Sequence, residues 1–334
     1  MPRELLLTAP RTIELAGYED VPPGDGEILA ETTMSGVSLG TELSLYRGST
    51  PFTSKRFDTE LRLFVEDPGA AFPAQLGYEW VGVVRQVGAG VAALRPGERI
   101  HVTLPHRETQ TFRADGPPWV ALPDEVTDER ATLLQSSAIA LQAVRDAAVA
   151  AGDTIVVFGL GAFGLIALQL ARLDGAGLVV AVDPLAARRE LALAYGADLA
   201  LDPTSCDVGL ELKSSGRAAD AAIEFSGRYE ALQAALRSVR IEGLVVAAGF
   251  YAGEATALRL GEEWLHNRLR MVASMQGWGV PVDRRELRTS ALELLARVRI
   301  DELLTHTFRF DEAPAAYAAL DASSSEALRG VFRY

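Results

Sequence analysis

The spacing of apolar residues changes near residue 122 of this chain. Before that point, short apolar runs are separated by glycine and proline. Residues 4–7, 27–33 and Trp80–Val87 have the pattern of strands, and Leu94–Val102 has that of a turn followed by a strand. Many short strands divided by turn residues are typical of an all-β module. The pattern therefore predicts a first third that is rich in β-structure.

From Thr127 to Ala148 the apolar residues recur at helical spacing, with Thr127 or Asp128 as the expected N-cap. Strands and helices then alternate, which predicts a parallel sheet with helices on both faces. After Met271 the pattern is mixed, and we expect the final strand, residues 330–334, to rejoin the first module. The predicted strands are 155–158, 178–182, 221–225 and 244–248, and the predicted helices are 163–173, 186–195 and 229–239.

A glycine-rich segment lies between the first of these strands and its helix. Glycines at its first, third and sixth positions would permit a tight turn, a close approach of the backbone to a pyrophosphate, and close packing of helix on strand. The pyrophosphate would lie at the helix N-terminus, where free N–H groups and the helix dipole favour an anion. The segment predicts a dinucleotide site, and consists of Gly159, Leu160, Gly161, Ala162, Phe163 and Gly164.

An acidic residue follows the next predicted strand, about 20 residues further on, where such sites place one. This residue is Asp183, and its carboxylate would accept hydrogen bonds from the adenosine ribose and repel the extra phosphate of NADP. Arg188 and Arg189 follow about one helical turn later and would soften that repulsion. We therefore expect NAD as the cofactor, with NADP as the alternative.

The composition is that of a globular protein. The chain has 334 residues, of which 49% are hydrophobic and 23% charged, and this length is enough for two domains. A net charge of −13 makes nucleic acid and anionic membranes poor partners. Cys206 is the only cysteine, so no internal disulfide forms, and no apolar run is long enough to span a membrane. We expect a cytoplasmic protein with a small-molecule substrate.

Taken in order, these segments resemble the medium-chain dehydrogenase/reductase superfamily over nearly the whole chain. Besides the glycine-rich segment, the resemblance rests on Val37–Glu42, Leu76–Val84, Leu94–Arg99 and Ala221–Gly227. It implies an α/β protein, in which a GroES-like β-rich catalytic domain (1–125 and 276–334) surrounds a Rossmann domain (126–275). It also implies an active site in the cleft between the domains, and a homodimer joined through the strand at Met271–Gln276.

Zinc-dependent members of that superfamily hold the metal with side chains at three positions where this chain has Leu39, Tyr78 and Gln135. Leucine cannot bind a metal, and phenol and amide are poor zinc ligands. We therefore predict no catalytic zinc and, because the four-cysteine lobe is missing, no structural zinc. The nearby His101 and His106 are expected to be solvated residues of a strand and a turn.

Within the superfamily, the Gly-Thr-Glu turn and the Gly-Tyr-Glu segment are similar to those of the bacteriochlorophyllide a dehydrogenase-like group. The stretch between them, Ser49–Gln75, is longer here, and we expect it to be a loop, which is either a solvated surface loop or a lid or substrate wall.

The resemblance implies candidate catalytic residues. Tyr78 lies at a ligand position and is expected to donate a hydrogen bond or a proton to the substrate oxygen, while Thr41 matches the proton-relay hydroxyl of the family. Further cofactor contacts are expected at two strand ends, from Ser226, Gly227, Gly249 and Phe250.

Three functions are compatible with this sequence. The preferred hypothesis is a zinc-independent oxidoreductase that interconverts a secondary alcohol and a ketone. The alternatives are a reductase of activated C=C bonds, and a protein that binds the cofactor without catalysis.

Overall fold

The computed structural model describes residues 1–67, 72–277, 280, 282–323 and 325–334. It divides into two compact units. The first unit contains Met1–Gln135, Asp283–Leu295 and Ile300–Tyr334, and the second contains Ser136–Val282 and Ala296–Arg299. No helix in the described part of the chain has the length and hydrophobicity that crossing a membrane requires.

The strands and helices are numbered here in chain order. The strands are β1 (Arg3–Ala9), β2 (Thr12–Gly17), β3 (Glu27–Val37), β4 (Lys55–Asp58), β5 (Leu63–Glu66), β6 (Ala74–Gln75), β7 (Glu79–Val87), β8 (Arg99–Val102), β9 (Thr109–Arg113), β10 (Trp119–Ala121), β11 (Thr154–Phe158), β12 (Leu178–Val182), β13 (Leu199–Leu201), β14 (Ala219–Glu224), β15 (Val239–Ala247), β16 (Arg270–Ala273), β17 (His306–Arg309) and β18 (Gly330–Arg333). The α-helices are α1 (Thr41–Tyr46), α2 (Asp128–Ala131), α3 (Leu134–Asp146), α4 (Ala162–Leu173), α5 (Ala186–Ala194), α6 (Val208–Ser214), α7 (Tyr229–Ser238), α8 (Glu263–His266), α9 (Arg284–Leu295) and α10 (Ala313–Ala322).

The first unit is built around a β-sheet with the strand order β10-β8-β7-β3-β18-β17, and β9 also pairs with β3. A smaller sheet has the order β2-β1-β6. The last strand, β18, lies between β3 and β17, and its residues 330–333 pair antiparallel with residues 34–37. The final strand therefore lies in the sheet of the first unit.

The second unit contains a parallel sheet with the order β13-β12-β11-β14-β15-β16. This is the order of the Rossmann fold, in which the direction of winding reverses beside the first strand. Strands β11, β12 and β14 are almost entirely buried, as expected for a parallel sheet that is covered on both faces. The predicted α/β class is confirmed.

Two predicted elements differ from the structure. The helix expected over 127–148 is interrupted between α2 and α3, where the Thr132 hydroxyl binds the carbonyl of Glu129 and the Thr132 carbonyl accepts a bond from Arg329. The stretch expected to be a loop, Ser49–Gln75, contains the hairpin of β4 and β5, because Phe57 and Phe64 pack across the strands at 5.2 Å. Residues 68–71 of this stretch lie outside the described residues.

The first unit extends to Gln135, whereas the sequence placed the boundary after residue 125. Residues 126–135 are bound by side chains of the first unit. Arg99 binds Asp128, and Arg288 donates to the carboxamide oxygen of Gln135 at 2.7 Å. Residues 296–299 instead belong to the second unit, where Gln169 accepts a bond from the backbone N–H of Arg299 at 2.7 Å.

Candidate functional site

The glycine-rich segment forms the turn between β11 and α4. Gly159 has a φ of +81°, and a Cβ atom there would lie 2.6 Å from the backbone nitrogen of Ser226. A Cβ atom at Gly164 would collide with the carbonyl oxygen of Gly159. Packing therefore requires glycine at both positions, as the sequence analysis expects of a tight turn and of a helix lying close to its strand.

Gly161 differs from these two glycines. It is the N-cap of α4 and has a φ of −73°, so its backbone does not require glycine, and a Cβ atom there would meet nothing within 4 Å. Open space thus lies at the N-terminus of a 12-residue helix, which makes no side-chain capping bond. Leu160 and Ala162 are buried, and the Phe163 ring lies 6.2 Å from that of Phe225. This arrangement fits the pyrophosphate of a dinucleotide.

Asp183 is 4% exposed and contacts the same turn. Its carboxylate accepts the N–H of Leu160 at 2.8 Å and that of Leu185 at 2.9 Å. Arg188 lies 3.9 Å from the same carboxylate. A carboxylate has about four lone-pair sites, so Asp183 keeps acceptor capacity for ribose hydroxyl groups.

The loops after β14 and β15 pack against each other beside this turn. Gly227 has a φ of +68°, and a Cβ atom there would collide with the carbonyl oxygen of Phe250. A Cβ atom at Gly249 would collide with the backbone nitrogen of Gly227. The structure thus brings together Gly159, Ser226, Gly227, Gly249 and Phe250 at the carboxyl edge of the sheet, which is where open α/β sheets bind ligands.

Sequence reasoning missed Glu224 and Tyr251 at this edge. The fully buried Glu224 accepts the N–H groups of Ser226 at 2.6 Å and Gly227 at 3.1 Å, and it also accepts the Tyr251 hydroxyl. Burial raises the pKa of the Glu224 carboxyl and of the Tyr251 hydroxyl. The available signal was a glutamate that directly follows the apolar residues 221–223 of β14. Through these hydrogen bonds, the Glu224 side chain fixes the conformation of the loop that contains Ser226 and Gly227.

In the first unit, the two candidate catalytic residues lie at the start of α1 and directly before β7. Thr41 is the first residue of α1, and the helix makes no side-chain N-cap bond. The hydroxyl oxygen of Tyr78 is buried and makes no hydrogen bond of good geometry within the described residues. Burial raises the pKa of this hydroxyl to about 12. Tyr78 therefore stays protonated, and Ser38 is a polar side chain close enough to its hydroxyl to affect the pKa.

The residues at the zinc-ligand positions do not fit the metal. Leu39 packs against an apolar cluster, and the carboxamide oxygen of Gln135 is bound to Arg288. Glu79, beside Tyr78, binds His101 and Arg329, each at 3.0 Å. Within the described ranges, no three side chains of His, Cys, Asp or Glu are grouped so that they could hold a metal ion. A phenol, an amide and an aliphatic chain do not provide a Zn²⁺ donor set.

The expectation that His101 and His106 are solvated is wrong. They are 0% and 1% exposed, since β8 directs His101 inward and His106 packs beneath the segment that precedes β7. Each ring is paired with a buried glutamate, His101 with Glu79 at 3.0 Å and His106 with Glu42 at 2.9 Å. Burial lowers the pKa of His101, which favours its neutral form.

Comparison with known proteins places the chain in a family. The model of the zinc-binding dehydrogenase family matches residues 162–297. The chain is 32% identical to the D-guloside 3-dehydrogenase of Escherichia coli K12, over 94% of this chain and 95% of that protein. It is also 26% identical to the L-galactonate-5-dehydrogenase of the same strain, over 93% of each.

A solved alcohol dehydrogenase from Escherichia coli CFT073, in complex with NADH, has the same fold. Its TM-score is 0.83 at 19% identity, over 100% of this chain and 99% of that one. The chain therefore belongs to the zinc-binding dehydrogenase family of medium-chain dehydrogenases/reductases, and is an NAD(P)-dependent oxidoreductase.

Proposed function

We propose that this protein interconverts a secondary alcohol and a ketone with NAD, without zinc. The observation that supports this most strongly is the replacement of the ligand set by Leu39, Tyr78 and Gln135, among which only Tyr78 offers a hydroxyl donor without a hydrogen bond of good geometry. In zinc enzymes the metal polarises the substrate oxygen. A hydrogen-bond donor at one of the ligand positions is suited to the same task.

The nicotinamide, when bound, supplies or accepts the hydride. Gly161 and the N-terminus of α4 would hold the pyrophosphate, and Asp183 would accept the ribose hydroxyl groups. In the reducing direction, Tyr78 donates its hydroxyl hydrogen to the substrate oxygen as negative charge develops there. Thr41 relays a proton from solvent to Tyr78 and is left unchanged, so that the ketone gains one hydride and one proton overall.

The names of two relatives support a class of substrate. They are a D-guloside 3-dehydrogenase and an L-galactonate-5-dehydrogenase, and both names refer to a sugar derivative. We therefore propose that the substrate is polyhydroxylated and reacts at a secondary carbinol.

The test combines metal analysis with kinetics on one purified sample. A panel of alkyl glycosides, aldonates and polyols is assayed with NAD and NADP, before and after treatment with a strong chelator. We expect turnover without stoichiometric zinc and no loss on chelation. Bound zinc whose removal abolishes turnover, and whose return restores it, would contradict the zinc-independent mechanism. Activity confined to conjugated enones would favour a reductase of activated double bonds.

A further inference from the structure

A buried pair of hydrogen-bonded side chains, Glu42 and His106, is joined to the segments that carry the two candidate catalytic residues. Glu42 follows Thr41 in α1 and is 1% exposed. One of its carboxylate oxygens accepts the backbone N–H of Ser38 at 2.8 Å, which fixes the turn that enters the helix. The other faces Nε2 of His106 at 2.9 Å and accepts the Tyr317 hydroxyl at 2.6 Å.

The other member of the pair lies against the turn that precedes Tyr78. The backbone N–H of His106 donates to the carbonyl of Leu76 at 2.8 Å. Gly77 has a φ of +107°, and a Cβ atom there would lie 2.9 Å from Cδ2 of the imidazole. The ring therefore supports the peptide that carries Tyr78, and its own orientation is fixed because Nδ1 lies 2.7 Å from the Ser35 hydroxyl.

We propose that Glu42 and His106 are positioning residues that hold Thr41 and Tyr78 at a fixed separation. Glu42 is adjacent in sequence to one catalytic candidate, and His106 packs on the residues adjacent to the other. A shift of either segment would change the distance between the Thr41 and Tyr78 hydroxyl groups. This inference rests on the proposed function, and neither residue touches the substrate in it.

The surroundings of the pair favour positioning over simple stabilisation. The pair is enclosed by the apolar cluster that includes Leu43 and Phe332, and the Phe332 ring meets His106 edge-on at 5.2 Å. Apolar side chains would fill this volume without the desolvation cost that burial of polar groups carries. Directional hydrogen bonds instead specify one arrangement of the groups that they join.

The test compares Glu42→Gln and His106→Gln with Ile13→Ala. Ile13 belongs to the same apolar cluster, and its side chain makes no polar contact, so its variant reports loss of stability alone. For each variant, kcat and KM are measured per NADH-binding site. In parallel, 3-fluorotyrosine is incorporated, and the ¹⁹F resonance of Tyr78 is assigned by its loss in Tyr78→Phe.

We expect Glu42→Gln and His106→Gln to lower kcat by about tenfold to a hundredfold, as a small misplacement of reacting groups does. The KM for cofactor should stay within about twofold, because that site lies in other elements. The Tyr78 resonance should shift in both variants and remain in place in Ile13→Ala. Unchanged kcat together with an unchanged resonance would overturn the proposal.

The experiment also distinguishes failure of the proposed function from failure of this proposal, and it allows for a variant that does not fold. If the wild-type chain transfers no hydride, the proposed function fails, while the ¹⁹F arm still decides whether the pair positions Tyr78. If Glu42→Gln does not fold, Ser35→Ala replaces it, since that change removes the Nδ1 partner of His106, and Tyr334→Phe, which removes the other partner of the Ser35 hydroxyl, is its control. An unmoved Tyr78 resonance in a folded Ser35→Ala chain would count against the proposal.

Discussion

Burial determines which chemical role Tyr78 can have. An exposed tyrosine has a pKa near 10, whereas burial raises that of Tyr78 to about 12. A raised pKa favours the neutral form, so the hydroxyl stays protonated throughout the neutral range and loses its proton only as the pH rises through the raised value. Tyr78 is thus suited to donate a hydrogen bond to a ketone rather than to accept a proton from an alcohol.

Replacing Tyr78 by phenylalanine removes this donor. We expect kcat for ketone reduction to fall by about a hundredfold or more, with little change in the KM for NADH. The wild-type rate should show no alkaline loss attributable to Tyr78 below about pH 10. Steady-state kinetics across this range, with the buried Tyr46→Phe as the control, would check both points. An alkaline loss near neutral pH that is absent from Tyr78→Phe would contradict them.

The carboxylate of Asp183 should determine the choice of cofactor. Asp183→Ser removes the negative charge beside the ribose site and leaves Arg188 in place, so the preference for NAD over NADP should fall by about tenfold or more. The ratio of the two kcat/KM values measures this. Asp202→Ser is the control, because Asp202 pairs with Arg189 at 3.3 Å but does not contact the glycine-rich turn. An equal change in both variants would indicate a general effect of charge.

Contacts of single residues could be predicted from the sequence only where the residues in contact lie close together in the chain. The glycine-rich turn was predictable because strand, turn and helix are consecutive. The contacts of Glu42 were not, since its partners His106 and Tyr317 lie 64 and 275 residues away. The same limit explains why the histidines were expected to be solvated.

At the scale of elements, the alternation of strands and helices predicted the second unit well, because each strand of a parallel sheet is a compact apolar run. The first unit was harder to predict. Short strands such as β10 contain too few residues to show a period, and α1 has only six residues. The hairpin of β4 and β5 was missed because its aromatic pairing is a contact across strands.

Strand β16 is an edge of the parallel sheet. Met271 and Val272, which lie on it, are each 39% exposed, and Met275 just beyond it is 46% exposed. Exposed apolar edges of this kind pair readily with another chain. We expect a homodimer joined at this edge, and expect Val272→Lys to give a monomer in size-exclusion chromatography with light scattering. Leu193→Lys, at a 47% exposed position on α5, should leave the dimer intact. A monomeric wild-type chain would contradict this prediction.

At the scale of the whole molecule, the first unit depends on strands from both halves of the chain. Val331, on β18, is 1% exposed and pairs with Gly36 and Thr307. Val331→Asp would bury a carboxylate there and should destabilise this unit by several kcal/mol, about 3 or more. NADH binding, measured by fluorescence, should persist at temperatures where calorimetry shows the first unit unfolded.

The exposed Arg333→Gln, on the same strand, should alter stability by about 0.5 kcal/mol or less. In Val331→Asp, NADH binding and the fold of the first unit could instead be lost in one thermal transition. That result would contradict the prediction, because it would mean that the two units do not unfold separately.

The position of β18 also has a consequence for biosynthesis. A ribosome makes residues 34–37 long before residues 330–333, and at about 5–20 residues per second the interval is roughly 15 to 60 s. Throughout that time residues 34–37 of β3 lack their neighbour on one side, where β9 covers only residues 27–31, while the chain of the second unit has already emerged. We expect the nascent first unit to need protection by chaperones until translation ends, and to be the part of the protein that is most easily lost to aggregation when synthesis is rapid.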